Sequence, residues 1–158
     1  MTKYDWLLLI HILGAFLLIS GSITAGILHL AAARRDRPSE VTMLLGLIQP
    51  AVIAIVLGSI VALGLGIWLA EDAGYGVGDE WVIAAIVLLV IANIVGAAGG
   101  KPLERAGEMA QRLAADGDRP SEELRRAVRD PRGVVLSYLS FTALIAVLVL
   151  MVFKPGAG

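Results

Sequence analysis

Residues 6–30 read WLLLIHILGAFLLISGSITAGILHL, an apolar run without a formally charged side chain. At 1.5 Å per residue, a helix of this length crosses the ~30 Å hydrocarbon core of a bilayer. The run also contains both histidines of the chain, His11 and His29. It therefore predicts a membrane-spanning first helix that carries two ionisable side chains.

The two histidines are 18 residues apart, a whole number of helical turns, so they share one face of the predicted helix. Small residues on that face, such as Gly14 and Ala25, let a neighbouring helix approach closely. We therefore expect both imidazoles to point at other helices and not at lipid. Because they lie roughly 27 Å apart along the axis, they cannot ligate one ion or one haem from the same chain.

Composition indicates the same class of protein for the whole chain. Of 158 residues, 58 % are hydrophobic, and the mean hydropathy is +0.81. We predict an all-α fold, an integral membrane four-helix bundle that forms a single domain over residues 1–158. Four apolar runs are long enough to span a bilayer: residues 6–33, 41–70, 81–100 and 133–153.

Several classes of function and processing do not fit this composition. The net charge of −1 gives no reason to expect a nucleic-acid partner. The chain has no Cys, which excludes disulfides and thiolate ligands. The first apolar run is too long for a signal-peptide core, and its basic flank follows it, so we expect this span to be retained.

Lys and Arg residues predict the orientation in the membrane. Eleven of the thirteen lie in the connections 34–40 and 101–132, whereas the connection 71–80 has none. Since basic loops stay in the cytoplasm, we expect both termini outside and a cytoplasmic helical segment between spans 3 and 4. Aromatic residues favour the headgroup level, and six of them fall at the predicted outer interface: Tyr4, Trp6, Trp68, Tyr75, Trp81 and Phe153.

Prolines and capping residues predict where helices bend, begin and end. Pro50 deprives the Gly46 carbonyl of its partner, which predicts a kink that serves either packing or a hinge beside a cavity. Pro102 predicts the start of a new helix after span 3. Ser121 predicts the N-cap of a short helix that ends at Val128, and Asp79 and Asp116 mark the start of span 3 and the end of the Pro102 helix.

The pentapeptide Asp-Arg-Pro-Ser-Glu occurs twice, at residues 36–40 and 118–122, each time before a predicted helix. A Ser N-cap with a Glu in the first turn is favourable capping chemistry, which predicts that Ser39 and Ser121 are N-caps. The repeat indicates either convergence on this chemistry or duplication of a two-span hairpin.

Polar side chains within the spans concentrate toward the predicted cytoplasmic side. We group four of them as a possible polar cavity: His29, Gln49, Asn93 and Tyr138. The alternative is ordinary hydrogen bonding between helices. Asn93 shares a face with Gly96 and Gly100, a spacing typical of close helix packing, so it is either interhelical glue or a substrate ligand.

No enzyme motif is visible, which predicts a protein that is not an enzyme. The sequence lacks a carboxylate deep within a span, a Walker loop, HExxH, CxxC and a nucleophile elbow. An ionisable residue in a span is nevertheless a functional candidate. His11 is therefore our candidate ligand for haem b or copper, with a structural or transport role as alternatives. A second ligand would come from Gln49, Tyr138, water or His11 of a second subunit.

The sequence also resembles known families at both ends. Residues 4–15, YDWLLLIHILGA, and 150–156, LMVFKPG, resemble a bacterial family of predicted four-span integral membrane proteins without an assigned function. This resemblance implies a four-helix bundle in the bacterial cytoplasmic (inner) membrane and no particular activity.

The first span is also similar to that of two other groups, through His11 and Gly14: copper-resistance proteins of the CopD type and four-span haem-binding protoporphyrinogen oxidases. This similarity implies a haem or copper site. The basic residue that the oxidases carry within a later span has no counterpart here. The copper group usually offers further His or Met ligands. Here only Met43 and Met151 lie near spans, and they are far apart in sequence.

Two function classes follow from these observations. The first is a non-catalytic membrane protein, an accessory subunit or a small transporter built as an oligomer, with the lipid bilayer and a homodimer or larger membrane complex as partners. The second is a haem- or copper-binding redox or metal-handling protein that uses His11.

Overall fold

The computed structural model describes residues 2–155, in which six α-helices form and no strand occurs. The helices are α1 (Lys3–Ala32), α2 (Pro38–Gly46), α3 (Ile48–Asp72), α4 (Glu80–Ala115), α5 (Glu122–Val128) and α6 (Pro131–Phe153). The all-α prediction is confirmed. Gly156 of the C-terminal motif and the two ends of the predicted 1–158 domain lie outside the described residues.

Four helical stretches of the described chain are long and apolar enough to cross a membrane: Lys3–Ala32, Pro38–Asp72, Glu80–Ala115 and Glu122–Phe153. Large apolar side chains cover the exterior of these stretches, and Phe16, Ile60 and Ile94 are each more than 60 % exposed. An apolar surface of this extent belongs against lipid or a partner, not against water. The prediction of four helices that are long and apolar enough to span a membrane is confirmed.

The spans pack as two hairpins, α1 with α3 and α4 with α6. Glycines bring the backbones of the first pair together. A Cβ atom on Gly58 would lie 2.5 Å from the Leu18 nitrogen, and one on Gly21 would lie 2.8 Å from the Ala51 oxygen. Only glycine fits where two backbones are this close. Such close packing stabilises helix pairs in a membrane, where lipid leaves no hydrophobic driving force between helices.

The second hairpin also packs through small residues, but not through the predicted pair. A Cβ on Gly96 would lie 2.9 Å from Ser140 Oγ, and one on Gly99 would lie 3.2 Å from the Gly133 oxygen. The described residues place nothing within 4 Å of a Cβ on Gly100. The contact therefore uses Gly96 and Gly99, where we expected Gly96 and Gly100.

The predicted start of a new helix at Pro102 is wrong. α4 continues through Pro102 to Ala115 as one helix of 36 residues. It is held on both sides of the proline, by α6 at Gly99 and by Leu45 of α2, which lies 3.7 Å from a Cβ built on Gly107. Packing against neighbouring helices thus outweighs the local preference of Pro102 for a helix start.

The second predicted span is interrupted, as Pro50 suggests. α2 ends at Gly46 and α3 begins at Ile48, so the interruption falls on Leu47, three residues before Pro50. The Leu47 N–H still donates to the Met43 oxygen, at 3.3 Å. The chain therefore stays helical on both sides of a local break where the proline removes its hydrogen bond.

Capping chemistry was predicted correctly at one copy of the repeat only. Ser121 is the N-cap of α5, and its Oγ accepts from the Leu124 N–H. Ser39 is not an N-cap, because Pro38 already occupies the first turn of α2 and the cap position falls on Arg37. Asp79 does occupy the N-cap of α4, but its carboxylate accepts from the Gly76 N–H instead of capping the helix.

A small helical cluster lies at the end of the molecule where the first connection (residues 34–40) meets the third (residues 101–132). It joins the C-terminal ends of α1 and α4 to α2 and α5, and we call it the basic-end cluster. Its core side chains are at most 2 % exposed: Ala32, Val41, Ala106, Ala110, Leu124 and Val128. This cluster joins the two hairpins. Its α1 belongs to the first hairpin and α2 leads into α3 of that hairpin, while α4 belongs to the second and α5 leads into α6.

Candidate functional site

His11 lies in the contact between α1 and α3. A Cβ atom on Gly66 would lie 3.0 Å from Cε1 of the imidazole and 3.4 Å from Nδ1, so glycine makes room for the ring. Nδ1 is buried beside the Ala62 backbone, yet it has no hydrogen bond of good geometry to any of residues 2–155. The ring faces another helix, as the small-residue face predicted.

His29 also faces another helix, at the basic-end cluster. Its Nε2 lies 2.8 Å from the Val128 oxygen at the end of α5. Because a carbonyl only accepts, Nε2 is the nitrogen that carries the proton. His29 therefore holds α5 against α1, and Arg129 adds a second link by donating from Nε to the Ala33 oxygen at 2.9 Å.

Asn93 connects the two hairpins in the middle of the spans. Its side-chain oxygen accepts from Ser59 Oγ of α3 at 3.0 Å, and its Nδ2 donates to the Leu89 oxygen at 2.8 Å. Ser140 of α6 donates to the Ala92 oxygen at 2.7 Å. The bonds of Ser59 and Ser140 join neighbouring helices, whereas the bond to Leu89 lies within α4. Hydrogen bonding between helices is one of the two interpretations that the sequence left open for Asn93.

The remaining two members of the predicted polar cavity point outward. The side chain of Tyr138 on α6 is 64 % exposed, and Gln49 near the start of α3 is exposed as well. His29, Gln49, Asn93 and Tyr138 thus have separate surroundings in one copy of the chain. The first and third are used between helices, whereas the other two are available to lipid or to a partner.

His11 has no evident companion for a haem or a metal ion within the same copy. Over residues 2–155, no three His, Asp or Glu side chains come together in a way that would hold a metal. Gln49 precedes Ala62 by 13 residues on α3, so it lies roughly 20 Å away along the axis. A ligand set at His11 would therefore need a donor from a second copy or from solvent.

A small cavity lies between the hairpins, at the end opposite the basic-end cluster. We call it the interhairpin cavity. It encloses about 30 Å³, opens on one side and is lined mostly by apolar residues of α3 and α4, with Met151 from α6. Trp81 lines it and is only 8 % exposed, and its Nε1 is buried without a hydrogen-bond partner in the described part of the chain.

An aromatic and cationic group covers the same end of the molecule. The rings of Tyr75 and Trp81 meet edge to face, with centroids 5.3 Å apart and planes at 88°. Lys154 Nζ lies 4.8 Å from the centre of the Tyr75 ring and 5.7 Å from that of Trp81. Sequence reasoning placed these rings at one interface, but the contact of Lys154 with them depends on the position of α6 beside α4.

The two copies of the repeat meet at the basic-end cluster, in a contact that we call the repeat seam. The Ser39 N–H and Oγ–H each donate, at 2.7 Å, to one oxygen of Asp118. These bonds, led by that of the hydroxyl, hold the pKa of Asp118 below its ordinary value. Asp36 of the first copy forms a 3.8 Å ion pair with Arg125, so both connections contribute to the seam.

Four apolar helical stretches, glycine-mediated packing and an apolar exterior define an α-helical integral membrane protein. Residues 5–155 match the model of a family described as "Predicted integral membrane protein (DUF2269)", and the chain belongs to that family. The resemblance seen at both ends of the sequence is thereby confirmed. No curated protein and no solved structure gives a significant match to the chain.

Proposed function

We propose that this chain is a non-catalytic component of the bacterial cytoplasmic membrane that works with other membrane proteins or with further copies of itself. It would serve as an accessory subunit or as one unit of a small oligomeric transporter. The observation that carries the proposal is the outward exposure of Gln49 and Tyr138 on spans. Polar groups are costly against lipid, and a partner helix that offers hydrogen bonds removes that cost.

The use of the other polar side chains supports the same proposal. Asn93, Ser59 and Ser140 hold helices together through hydrogen bonds, and His29 holds the basic-end cluster. Side chains that are engaged in this way stabilise the fold. The chain thus contributes surfaces to an assembly, and its internal polar groups maintain those surfaces.

For the orientation, we propose that the basic-end cluster lies in the cytoplasm and both termini lie outside. The repeat seam and the His29 bond join the first and third connections at one end of the molecule. These two connections carry most of the Lys and Arg residues, which disfavour transfer across the membrane. The acidic connection 71–80 would then face the outside.

Association is tested by native mass spectrometry of protein extracted from membranes in mild detergent, with chemical cross-linking in the membrane beforehand. We expect the wild-type chain to appear in an oligomer or with a partner protein. A Gln49→Leu/Tyr138→Phe double variant should bind roughly eightfold more weakly, since interhelical hydrogen bonds contribute about 0.6 kcal/mol each.

Thr142→Val is the matched control for the double variant. Thr142 lies on α6 near Tyr138, but its hydroxyl already donates to the Tyr138 carbonyl of its own helix, at 2.9 Å. The control should therefore associate like wild type. A wild-type chain that is monomeric in the membrane and forms no cross-link, or a double variant that associates normally, would contradict the proposal.

The second candidate is a haem- or copper-binding protein that uses His11, and the unpartnered Nδ1 of that residue favours it. A visible absorption spectrum before and after reduction, with copper analysis, tests this candidate on protein purified from membranes. Bound haem or copper that is lost in His11→Ala and kept in His29→Ala supports it. A featureless spectrum without bound copper removes it.

A further inference from the structure

Three exposed arginines lie where the end of α1 meets the start of α6, and we call them the junction arginines: Arg34, Arg129 and Arg132. Arg129 Nε donates to the Ala33 oxygen at 2.9 Å, so its side chain reaches the end of α1, directly beside Arg34 in the chain. Arg132 follows three residues later, in the first turn of α6. Three positive charges are thus brought into one small region between the two hairpins.

The guanidinium group of Arg129 is held in place by its bond to the backbone. Its two terminal nitrogens have no hydrogen bond and no carboxylate within 4 Å among residues 2–155. Arg35 and Arg125, by contrast, each face a carboxylate. A guanidinium that is fixed at Nε and free at its other two nitrogens can donate two parallel hydrogen bonds to a phosphate group.

The carboxylates closest in sequence to the junction arginines are engaged elsewhere. Asp36 forms its ion pair with Arg125. Asp130 caps α6, where its Oδ1 accepts from the backbone N–H of Arg132 at 3.0 Å. Within the described chain, no junction arginine has a carboxylate within 4 Å. Their positive charge is therefore available to an anion from outside the chain.

The length of the helices places the junction arginines at the level of lipid head groups. A hydrocarbon core of about 30 Å takes up about 20 helical residues. Counted from Trp6, α1 leaves the core near Gly26, and Ala33 lies roughly 10 Å farther along the axis. Counted back from Phe153, α6 crosses the same edge near Gly133. This level holds whichever side of the membrane the basic-end cluster faces.

Apolar side chains continue from the junction toward the middle of the membrane. On α1, Ile27 is 60 % exposed and Leu30 is 50 % exposed, and on α6 both Val135 and Leu139 are 56 % exposed. An exposed apolar surface of this kind fits the acyl chains of a lipid whose phosphate lies at the arginines. A free phosphate ion would use the arginines alone.

We infer that the junction arginines bind the head group of one anionic phospholipid of the phosphatidylglycerol type. Its phosphate accepts from the terminal nitrogens of Arg129, and Arg34 and Arg132 add positive charge around it. A zwitterionic head group fits less well, because its ammonium group would face three guanidinium groups. Basic residues near a membrane attract anionic lipids in general, but the fixed guanidinium of Arg129 predicts a lipid that stays bound on extraction.

Native mass spectrometry tests this inference on the full chain in mild detergent. The protein is equilibrated with equal amounts of phosphatidylglycerol and phosphatidylethanolamine that carry the same acyl chains. We expect phosphatidylglycerol to be retained in preference to phosphatidylethanolamine. Arg129→Gln should weaken the retention of phosphatidylglycerol about fivefold, the contribution of one cation near an anionic membrane surface.

Two further variants separate lipid binding from folding and from general charge. The Arg34 side chain makes no hydrogen bond or ion pair to the described residues, so Arg34→Gln removes a charge without breaking a contact of the fold, and it should also weaken retention. Arg119→Gln is the matched control. Arg119 is equally exposed, but it precedes α5 and so lies at the opposite end of that helix from Arg129. This control should retain lipid like wild type.

Four results would overturn the inference. The first is a wild-type chain that does not prefer phosphatidylglycerol, a measurement that needs no variant. The second is unchanged retention in both Arg34→Gln and Arg129→Gln. The third is an equal loss in Arg119→Gln, which would indicate attraction by overall charge. The fourth is binding of inorganic phosphate as tight as that of phosphatidylglycerol, which would indicate an anion site that does not recognise lipid.

Discussion

At Gly58, one methyl group decides whether α1 and α3 can pack. A Cβ there would lie 2.5 Å from the Leu18 nitrogen and 2.6 Å from the Gly14 oxygen, both of them backbone atoms that cannot swing aside. We predict that Gly58→Ala destabilises the chain by about 1–3 kcal/mol, the usual cost of overpacking. Thermal unfolding in detergent measures the change.

Gly64→Ala is the control for Gly58→Ala on the same helix. A Cβ on Gly64 meets nothing within 4 Å in the described chain, and Ala favours a helix over Gly by about 1 kcal/mol. This variant should be neutral or slightly stabilising. Equal losses of stability at both positions would contradict close backbone packing at Gly58.

Single residues were predictable where the determinant is local. The helical spacing of His11 and His29 correctly predicted that both rings face other helices, and Ser121 was recognisable as an N-cap. Ser39 has the same local sequence, but its hydroxyl bonds to Asp118, 79 residues away. The interhairpin cavity likewise depends on the distance between helices, which a single sequence does not reveal.

Among the elements, the repeat seam holds the first connection to the third. Because hydrogen bonds from Ser39 lower the pKa of Asp118, the folded carboxylate is favoured over its unfolded counterpart. The stabilisation is complete above the ordinary Asp pKa of about 3.9 and is lost as the pH falls through the lowered folded pKa. Ser39→Ala should therefore lower the melting temperature at neutral pH, and the difference from wild type should shrink in acid.

Ser121→Ala separates this effect from ordinary helix capping. Ser121 accepts from the Leu124 N–H, a group that does not titrate. Its loss should cost about 1 kcal/mol, with much weaker pH dependence than that of Ser39→Ala. Parallel pH profiles of the two melting-temperature differences would show that the Asp118 contact does not stabilise the fold.

Two prolines show how far an element can be derived from sequence. Pro50 coincides with an interruption at Leu47, as the missing backbone bond predicts. Pro102 stands inside an unbroken α4, because glycine packing against α6 and contact with α2 hold the helix on both sides. The local rule is the same at both positions, and the neighbouring helices decide the outcome.

At the scale of the whole molecule, two hairpins are joined firmly at one end and enclose a small cavity near the other. Apolar runs and helix length were sufficient to predict four spans. The pairing of α1 with α3 and of α4 with α6 does not follow from the connections, because the short connection joins α3 to α4, which belong to different hairpins. The basic-end cluster was not predictable in detail, because it assembles from segments up to 99 residues apart, such as His29 and Val128.

Cysteine labelling tests the central claim of a four-span chain whose basic-end cluster lies inside. The chain has no native Cys, so Gly78→Cys in the second connection and Arg119→Cys in the third are unique labels. With a membrane-impermeant maleimide on cells whose cytoplasmic membrane is intact, we predict labelling at Gly78→Cys at once and at Arg119→Cys only after lysis. Labelling of both variants from the same side, or the reverse order, would contradict the account.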